Sequence, residues 1–459
     1  MSAACHESWR SDYRSWGGAQ VAEHRVERPA SRDAAAAALA TKRATTALPF
    51  GCGRSYGDVA LNPRGTLIDS RGLDRFIGFD RRTGILRCEA GMTIAEIISL
   101  LARPRPGETR WFLPVMPGTR FVTIGGAIAN DVHGKNHHRL GTFGRHVLAM
   151  EIARTDGTRQ ICSPTENSGL YAATIGGLGL TGLILSATLQ LRQVSGTALD
   201  AEEVRFGNLD EFFALSAQSD AAWEYTAAWI DCRAPGPRLG RGIFSRANHA
   251  DGIDAPAPPR APRIGVPVTP PFSLVNGAGV RCFNALYWRK PLARRRAHAA
   301  RGCGPVLFPL DAVGSWNRLY GPRGFHQLQC VVPAPAMRSG VAEMVKMVAA
   351  SGEGSAFAVL KTFGDVPSPG LLSFPMPGAT LTLDFPDRGA TTQQLLGRLA
   401  ALAGDAGGRL YPAKDSIMTA EAFTRGFPRA DEFRPFIDPG LSSALARRVG
   451  LVRAAGGPT

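Results

Sequence analysis

Three glycine-rich stretches hold most of the residues in this 459-residue chain whose types and spacing could do chemistry. The first, PFGCGRSYGD (Pro49 to Asp58), sets Gly51, Gly53 and Gly57 around Arg54, Ser55 and Tyr56. Successive backbone amides in such a loop form a nest for an anion, and Arg54 offsets negative charge. It is not a Rossmann loop, which needs G-x-G-x-x-G opening a helix. Here the spacing is Gly51-x-Gly53-x-x-x-Gly57, and Asn62-Pro63 stops a helix soon after. The second stretch, MPGTRFVTIGGAIANDVHGKNHH (Met116 to His138), combines Gly118, Gly125, Gly126 and Gly134 with many hydrogen-bonding side chains. The third, TIGGLGLTGLI (Thr174 to Ile184), places four glycines among apolar residues. Each stretch leaves or enters strand-like sequence, so together they read as backbone loops under one long ligand, and a dinucleotide has that length.

The histidines of the second stretch invite a different chemistry, since His133, His137 and His138 could ligate a metal. His-x-x-x-His needs a helix to bring both rings to one face, Gly134 interrupts it, and no carboxylate pair stands at metal-ligand spacing. The sequence therefore predicts no metal site.

The elements that must position these loops follow from periodicity. Between Ala47 and Val194, short segments such as GTLIDS, GILRCEAG, HVLAMEIARTDG and GLTGLILSATLQLR alternate or are β-branched, as strands are. TIAEIISLLARP has helical spacing, with Thr93 as N-cap and Glu96 three residues on. After Val194, LDEFFALSAQSD reads as a helix and EYTAAWIDC as a strand. Asp254 to Pro271 contains seven prolines and predicts a long irregular excursion. VRCFNALYWRK, HQLQCVVP, the helical AEMVKMVAASG, SAFAVLKTFG and ATLTLDFP supply further strands and helices, consistent with a second sheet covered by helices on one face. The polar, aromatic tail GRLYPAKDSIMTAEAFTRGFPRADEFRPFIDPG reads as a segment docked onto something else.

Composition bounds the rest. A chain 44% hydrophobic and 20% charged is a folded protein with a large core. The 53 Lys and Arg against 38 Asp and Glu leave +15, which favours anionic partners. Clusters such as ARRRAH (Ala293 to His298) lack the interleaved aromatics of a single-strand binder, and a nucleic-acid reading would leave all three glycine loops without a role. No nucleic-acid partner is therefore predicted. The eight cysteines show no C-x-x-C pair, which fits a reducing compartment. The N-terminus MSAACHESWRSDYRSWGG lacks an apolar core, and no run of about 18 apolar residues occurs. A cytoplasmic or peripheral membrane location is the expectation.

GCGRSYGD, LPVMPGTRFVTIGGAIANDVHGKNHH, GTFGRHV and GGLGLTGLI together resemble the PCMH-type FAD-binding domain of the vanillyl-alcohol-oxidase flavoproteins. Within that superfamily the chain is most similar to the decaprenylphosphoryl-β-D-ribose 2′-oxidases of bacterial cell-wall arabinan synthesis. The resemblance runs from about Ala47 to Val194 and resumes in AWIDC, HQLQCVVP, LKTFG, LDFP and RLYPAKDS. HGKNHH joined to the late YPAKDS is its most specific part.

The resemblance implies an α+β fold: a PCMH-type FAD-binding domain (1–195), an antiparallel-sheet substrate domain covered by helices (196–405), and a C-terminal segment (406–459) returning to the FAD domain. It implies that Gly51, Gly53, Arg54, Ser55, Tyr56 and Gly57 hold FAD from the first loop. From the second come Gly118, Thr123, Ile124, Gly125, Gly126, His133, Gly134, Lys135 and Asn136, from the third Gly182 and Ile184, and from the tail Tyr411. Many members attach FAD through a histidine in the first loop. Here Ser55-Tyr56 stands instead, and non-covalent FAD is expected.

By the same resemblance Lys414, in YPAKDS, lies beside the reacting hydroxyl, either as base or as a protonated stabiliser, with Tyr56 and His133 near it. Gln329, Lys361, Thr382 and Lys414 face the substrate. Some relatives carry Asn and Cys where this chain has Thr380 and Thr382, which alters the pocket floor. The implied reaction oxidises the 2′-hydroxyl of a polyprenyl-phosphoryl ribose to the keto sugar, and an NAD(P)H-dependent short-chain reductase completes the epimerisation to arabinose. The alternative is a carbohydrate or aldonolactone oxidase acting on a soluble sugar.

Overall fold

The computed structural model describes residues 8–42, 46–102, 107–262, 264–290 and 293–453. Residues 1–7, where the stretch read against a secretory signal begins and where Cys5 stands, lie outside the described residues, as does Pro104.

Short strands between Arg25 and Gln190 form two small sheets. A parallel one joins β1 (Arg25–Glu27), β2 (Ala47–Phe50) and β3 (Thr66–Asp69) in the order β1-β3-β2. An antiparallel one has five strands: β4 (Phe76–Asp80), β5 (Ile85–Glu89), β6 (Val147–Ala153), β7 (Arg159–Cys162) and β8 (Leu183–Gln190), ordered β4-β5-β8-β6-β7. Against these pack α1 (Ile94–Leu101) and α2 (Ile124–Ala129). The Thr93–Glu96 capping box predicted from sequence closes the first turn of α1, and Ile94, Ile97, Ile98 and Leu101 give it one buried face.

The rest of the chain builds one eight-stranded antiparallel sheet: β9 (Leu199–Phe206), β10 (Tyr225–Ile230), β11 (Gly242–His249), β12 (Arg295–Arg301), β13 (Phe325–Pro333), β14 (Val359–Phe363), β15 (Gly378–Pro386) and β16 (Arg409–Leu410). Its order is β12-β9-β11-β10-β14-β15-β13-β16. Both faces are covered, so β13 and β15 are almost wholly buried although their sequences alternate, Gln327, Gln329, Thr380, Thr382 and Asp384 on one face and Leu328, Cys330, Leu381 and Leu383 on the other. On one face α3 (Leu209–Ser219), α5 (Met337–Ala350) and α6 (Ala390–Asp405) bury Phe212, Val341, Val345 and Leu399 against Leu328, Cys330, Leu381 and Leu383. The other face, one residue out of step, looks towards the glycine loops. VRCFNALYWRK is a helix, α4 (Gly277–Arg289), started by Asn276, whose side chain accepts from the Gly279 amide.

The tail first adds β16 to the edge of the large sheet, then runs back across the glycine loops. The Ala47 amide donates to Gly440, Ser442 returns a bond to Ala47, and Asp438 accepts from the Thr155 amide. Its tightest attachment is Arg448, which donates to Asp58 at the end of the first glycine loop and to Asp415 just after Lys414.

Candidate active site

β2 delivers the first glycine loop to a cavity of ≈ 1280 Å³ lying between the two small sheets and the inner face of the large one. No helix follows Gly57, as Asn62-Pro63 requires. Arg54 stacks on Trp16, 4.0 Å from the ring centroid, and its Nε has no hydrogen-bond partner although it is buried. Burial lowers its pKa from the ordinary arginine value. A Cβ on Gly51 would come 2.5 Å from Thr123 Oγ1, so the first and second loops meet there.

Gly57 does a different job from its neighbours in the loop. A Cβ there would stand 1.6 Å from the Asp415 carbonyl oxygen, deep inside van der Waals contact. Together with the bond from the Tyr56 amide to Ala413, this close approach seats the YPAKDS segment against the first loop. The variant Gly57→Ala must push that segment outward. Because a displacement of about 1 Å at reacting groups costs roughly a hundredfold, turnover should fall by that order while bound flavin absorbance persists, as steady-state assays and spectra of the purified variant will show.

In the second loop Thr123 caps the six-residue α2 by accepting from the Gly126 amide at 3.1 Å. Asn130 ends it, donating to Gly126 O and leaving its own Oδ1 without a partner. His133 then enters an aromatic setting of Phe363, Phe374 and Tyr411. Burial first, then the positive charge of Lys361, hold its pKa well below the ordinary histidine value, so the ring is neutral. Gln329 Nε2 donates to His133 Nε2 at 3.0 Å, which leaves the proton on Nδ1, a buried atom without a partner. Lys135 donates to Val306 O at 2.5 Å. His133 and His137 both pack on Phe363, neither ring nitrogen of His137 has a partner, and His138 Nε2 meets Trp223 O.

The floor is the inner face of the large sheet. Gln329 pairs across with Thr382, Thr382 with Val359, and Lys361 with Thr380, so the period-two alternation of three adjacent strands turns Gln329, Thr382 and Lys361 to one side. Thr380 is fully buried beneath and accepts from Gln329 Nε2 at 3.2 Å. Thr382 reaches the cavity wall.

Lys414 comes from the tail. Its Nζ stands 3.6 Å from the centroid of the Tyr56 ring. Burial lowers its pKa, and the Asp384 carboxylate opposes that in part. Asp384 is driven in the opposite direction by the same burial and is held by a bond from Gln327 Nε2. Burial also raises the Tyr56 phenol well above its usual range.

Of the residues expected at a site, the structure brings Gly51, Gly53, Arg54, Ser55, Tyr56, Gly118, Thr123, Gly125, Gly126, His133, Gly134, Lys135, Gly182, Ile184, Gln329, Lys361, Thr382, Tyr411 and Lys414 onto one cavity wall. Gly57, Ile124 and Asn136 are not on it. Gly57 lies under the tail as described, Ile124 is in the core beneath α2, and Asn136 donates to Pro114 O at 2.8 Å. Residues the sequence reading passed over include Asn130, Trp16, Gln327 and Asp384. A signal for the last two was present: Gln327 precedes Gln329 by two, and Asp384 follows Thr382 by two, on the same strand face. The proline-rich segment is the irregular, largely exposed excursion its prolines predict, and Pro256, Pro258, Pro259 and Pro262 also form part of the wall, tied down where Arg120 donates to Pro259 O at 2.7 Å.

The cavity exceeds the roughly 300–1,000 Å³ of an ordinary small-molecule pocket and has room for a dinucleotide with a second molecule. The orphaned, buried Arg54 Nε, Asn130 Oδ1 and His133 Nδ1 are polar atoms that a bound dinucleotide can satisfy, and the residues present therefore fit one.

Residues 25–163 match the family model described as FAD binding domain. The chain is 37% identical to the decaprenylphosphoryl-beta-D-ribose oxidase of Mycolicibacterium smegmatis over 420 residues, covering 88% of each chain. It is 37% identical to an uncharacterized protein of Streptomyces coelicolor, over 74% of this chain and 96% of that one. A shorter similarity, 30% over 179 residues, links 38% of this chain to 40% of the L-gulono-1,4-lactone dehydrogenase of Mycobacterium tuberculosis. With the long, glycine-walled cavity in place and similarity along most of its length, the chain belongs to the decaprenylphosphoryl-β-D-ribose oxidase family of FAD-dependent oxidoreductases.

Proposed function

We propose that this enzyme oxidises the 2′-hydroxyl of a polyprenyl-phosphoryl-β-D-ribose to the 2′-keto sugar. The observation that carries the reading is Lys414, a buried amine with a depressed pKa held on the same wall as the three glycine loops. Arg54 and the loop amides would hold the cofactor's pyrophosphate, and Asn130, His133 and Tyr411 would meet its other polar edges. Bound FAD supplies the two-electron acceptor for the hydride that leaves the carbinol carbon. Lys414 Nζ takes the hydroxyl proton, and Gln329 and Thr382 orient the sugar from the floor. Tyr56 packs under Lys414 and keeps water from it. The division of labour is a cofactor domain at 1–195, a substrate domain at 196–405, and a tail at 406–459 that carries Lys414 to their junction. The keto product needs reduction to become an arabinose donor, so an NAD(P)H-dependent short-chain reductase is the partner proposed.

The test is flavin bleaching under anaerobic conditions. Polyprenyl-phosphoryl ribose should bleach the flavin and free ribose or aldonolactones should not; bleaching by the free sugars alone would overturn the lipid assignment in favour of a soluble-sugar oxidase.

A lipid substrate implies a membrane surface. No helix among the described residues is long and apolar enough to cross a bilayer. Ile264, in the cavity wall, and Val268 and Phe272 further along the same segment are 71, 70 and 66% exposed. Exposed apolar side chains on a chain of net charge +15 suit an anionic lipid headgroup layer. The protein should cosediment with phosphatidylglycerol vesicles more than with phosphatidylcholine ones. Phe272→Asp should weaken that binding by roughly tenfold or more, from the lost burial of one aromatic side chain.

A further inference from the structure

Three of the four lysines that line the cavity, Lys135, Lys361 and Lys414, are not equivalent. Lys414 has a buried carboxylate acting on it, Asp384. Lys361 and Lys135 have none: among the described residues no carboxylate forms an ion pair with either, and the charge felt most by Lys361 is that of Lys135. Lys361 Nζ stands 5.9 Å from the centroid of the Phe363 ring, and Lys135 spends one proton on Val306 O. Both line the cavity. Two like charges facing one cavity without a counterion raise each other's energy, and an anion between them removes that cost.

We propose that Lys361, supported by Lys135, is the subsite that binds the phosphodiester of a glycosyl phosphodiester substrate. This rests on the oxidase reading above, and the chemistry of that substrate supplies the second argument. The phosphate is attached to the anomeric carbon, and the hydroxyl that reacts is on the carbon next to it. A group that holds the phosphate must therefore sit beside the group that takes the hydroxyl proton. Lys361 does so: it lines the same cavity as Lys414, its Nζ stands 5.9 Å from the Phe363 ring that packs on His133, and its charge acts on both Lys414 and His133. The strand register fixes this placement, since Lys361 lies opposite Thr380 and next but one to Val359, the partner of Thr382 on the same floor. Charge from the bound phosphodiester favours the ammonium form of Lys361, while Lys414, with Asp384 behind it, is left to exchange the proton.

The site also separates two kinds of substrate. A neutral riboside leaves Lys361 unpaired, whereas a glycosyl phosphodiester neutralises it, so the subsite selects lipid-linked sugar phosphates over free sugars by charge and not by size.

The experiment compares polyprenyl-phosphoryl ribose with an ether-linked polyprenyl riboside of equal length but without phosphate, in wild type, Lys361→Gln and Lys361→Arg, following anaerobic flavin bleaching. Flavin content and thermal midpoint are measured on each variant to establish that it is folded and loaded. Inorganic phosphate is tested as a competitor against chloride at equal ionic strength. Wild type should prefer the phosphodiester in kcat/KM by roughly 10- to 100-fold, the worth of one charge-assisted hydrogen bond. Lys361→Gln should lose that preference through KM, becoming similar on both substrates, and become insensitive to phosphate; Lys361→Arg should restore much of both. A Lys361→Gln enzyme that keeps the full preference overturns the assignment, and so does a wild type that treats the two lipids alike while bleaching with both. If neither lipid bleaches the wild type, the oxidase reading itself fails.

Discussion

Replacing Lys414 by alanine should leave a folded, yellow protein that does not turn over. The side chain stands over Tyr56, its removal opens space towards the cavity and not in a core, and among the described residues no hydrogen bond of the fold depends on its Nζ. Loss of a positioned general base costs roughly 10²- to 10⁴-fold, and the fall should appear in kcat with little change in flavin absorbance. The Lys414→Arg variant distinguishes the two roles open to the residue. A guanidinium keeps the charge but does not give up its proton in the neutral range. If Lys414 stabilises as a cation, arginine should rescue; if it is the base, arginine should be as inactive as alanine.

The pH profile follows from the direction of the shift. Burial favours the neutral amine, so Lys414 loses its proton at lower pH than a solvated lysine does. A base must be neutral to act, so kcat should rise as pH is raised through the depressed pKa and fall as pH is lowered below it. Asp384→Asn removes the nearby negative charge that opposes the depression, so the rising limb should move to lower pH. A profile that falls with rising pH, combined with rescue by arginine, would assign the cationic role instead.

The second large effect is on stability. In Arg448→Ala the carboxylates of Asp58 and Asp415 are left together without their cation in a buried place. Removing one partner of such a buried cluster costs about 3–5 kcal/mol. The thermal midpoint and the denaturant midpoint should both drop, and the tail should become sensitive to protease in the Asp415 to Arg448 region. Since that tail carries Lys414, activity should be lost at temperatures below global unfolding. The variant Asp415→Asn tests the same contact more gently: it keeps the shape, removes one charge, and should lower the midpoint by less. A protein unmoved by Arg448→Ala would show that the tail is held by its apolar side chains, Phe423, Phe427 and Phe433, and by its bonds to Ala47 and Thr155.

What could be read in advance was what local chemistry specifies. Thr93 and Glu96 announce a capped helix because both bonds lie within one turn. Asn62-Pro63 excludes a nucleotide-binding helix after Gly57 because proline constrains its neighbour wherever it stands. The strands of the floor were legible from alternation, and the motif YPAKDS marked Lys414. What could not be read depends on residues far apart in the chain. Arg448 meets Asp58 across 390 positions, and no spacing rule reaches that far. The helix over Gly277–Arg289 is rich in aromatic and branched residues, so its composition fits a strand equally well, and the Asn276 cap is the local sign that decides it. The proline-rich segment was read correctly as irregular, but which surface an irregular segment covers is set by contacts such as Arg120 to Pro259 O, made with residues more than a hundred positions away.

The arginine cluster of ARRRAH acquires a further meaning from the strand it lies in. Arg295–Arg301 is an edge strand of the eight-stranded sheet, with one side bonded to Leu199–Phe206 and the other lacking a strand neighbour among the described residues. An open edge of this kind is a template on which a second chain can extend the sheet, and a sheet of this size repeated from molecule to molecule would grow into fibres. Arg294 and Arg295, anchored by Glu211 and by Glu202, line this rim with guanidinium groups that an identical rim would repel. The excess of positive charge thus also opposes edge-to-edge pairing between copies of the chain.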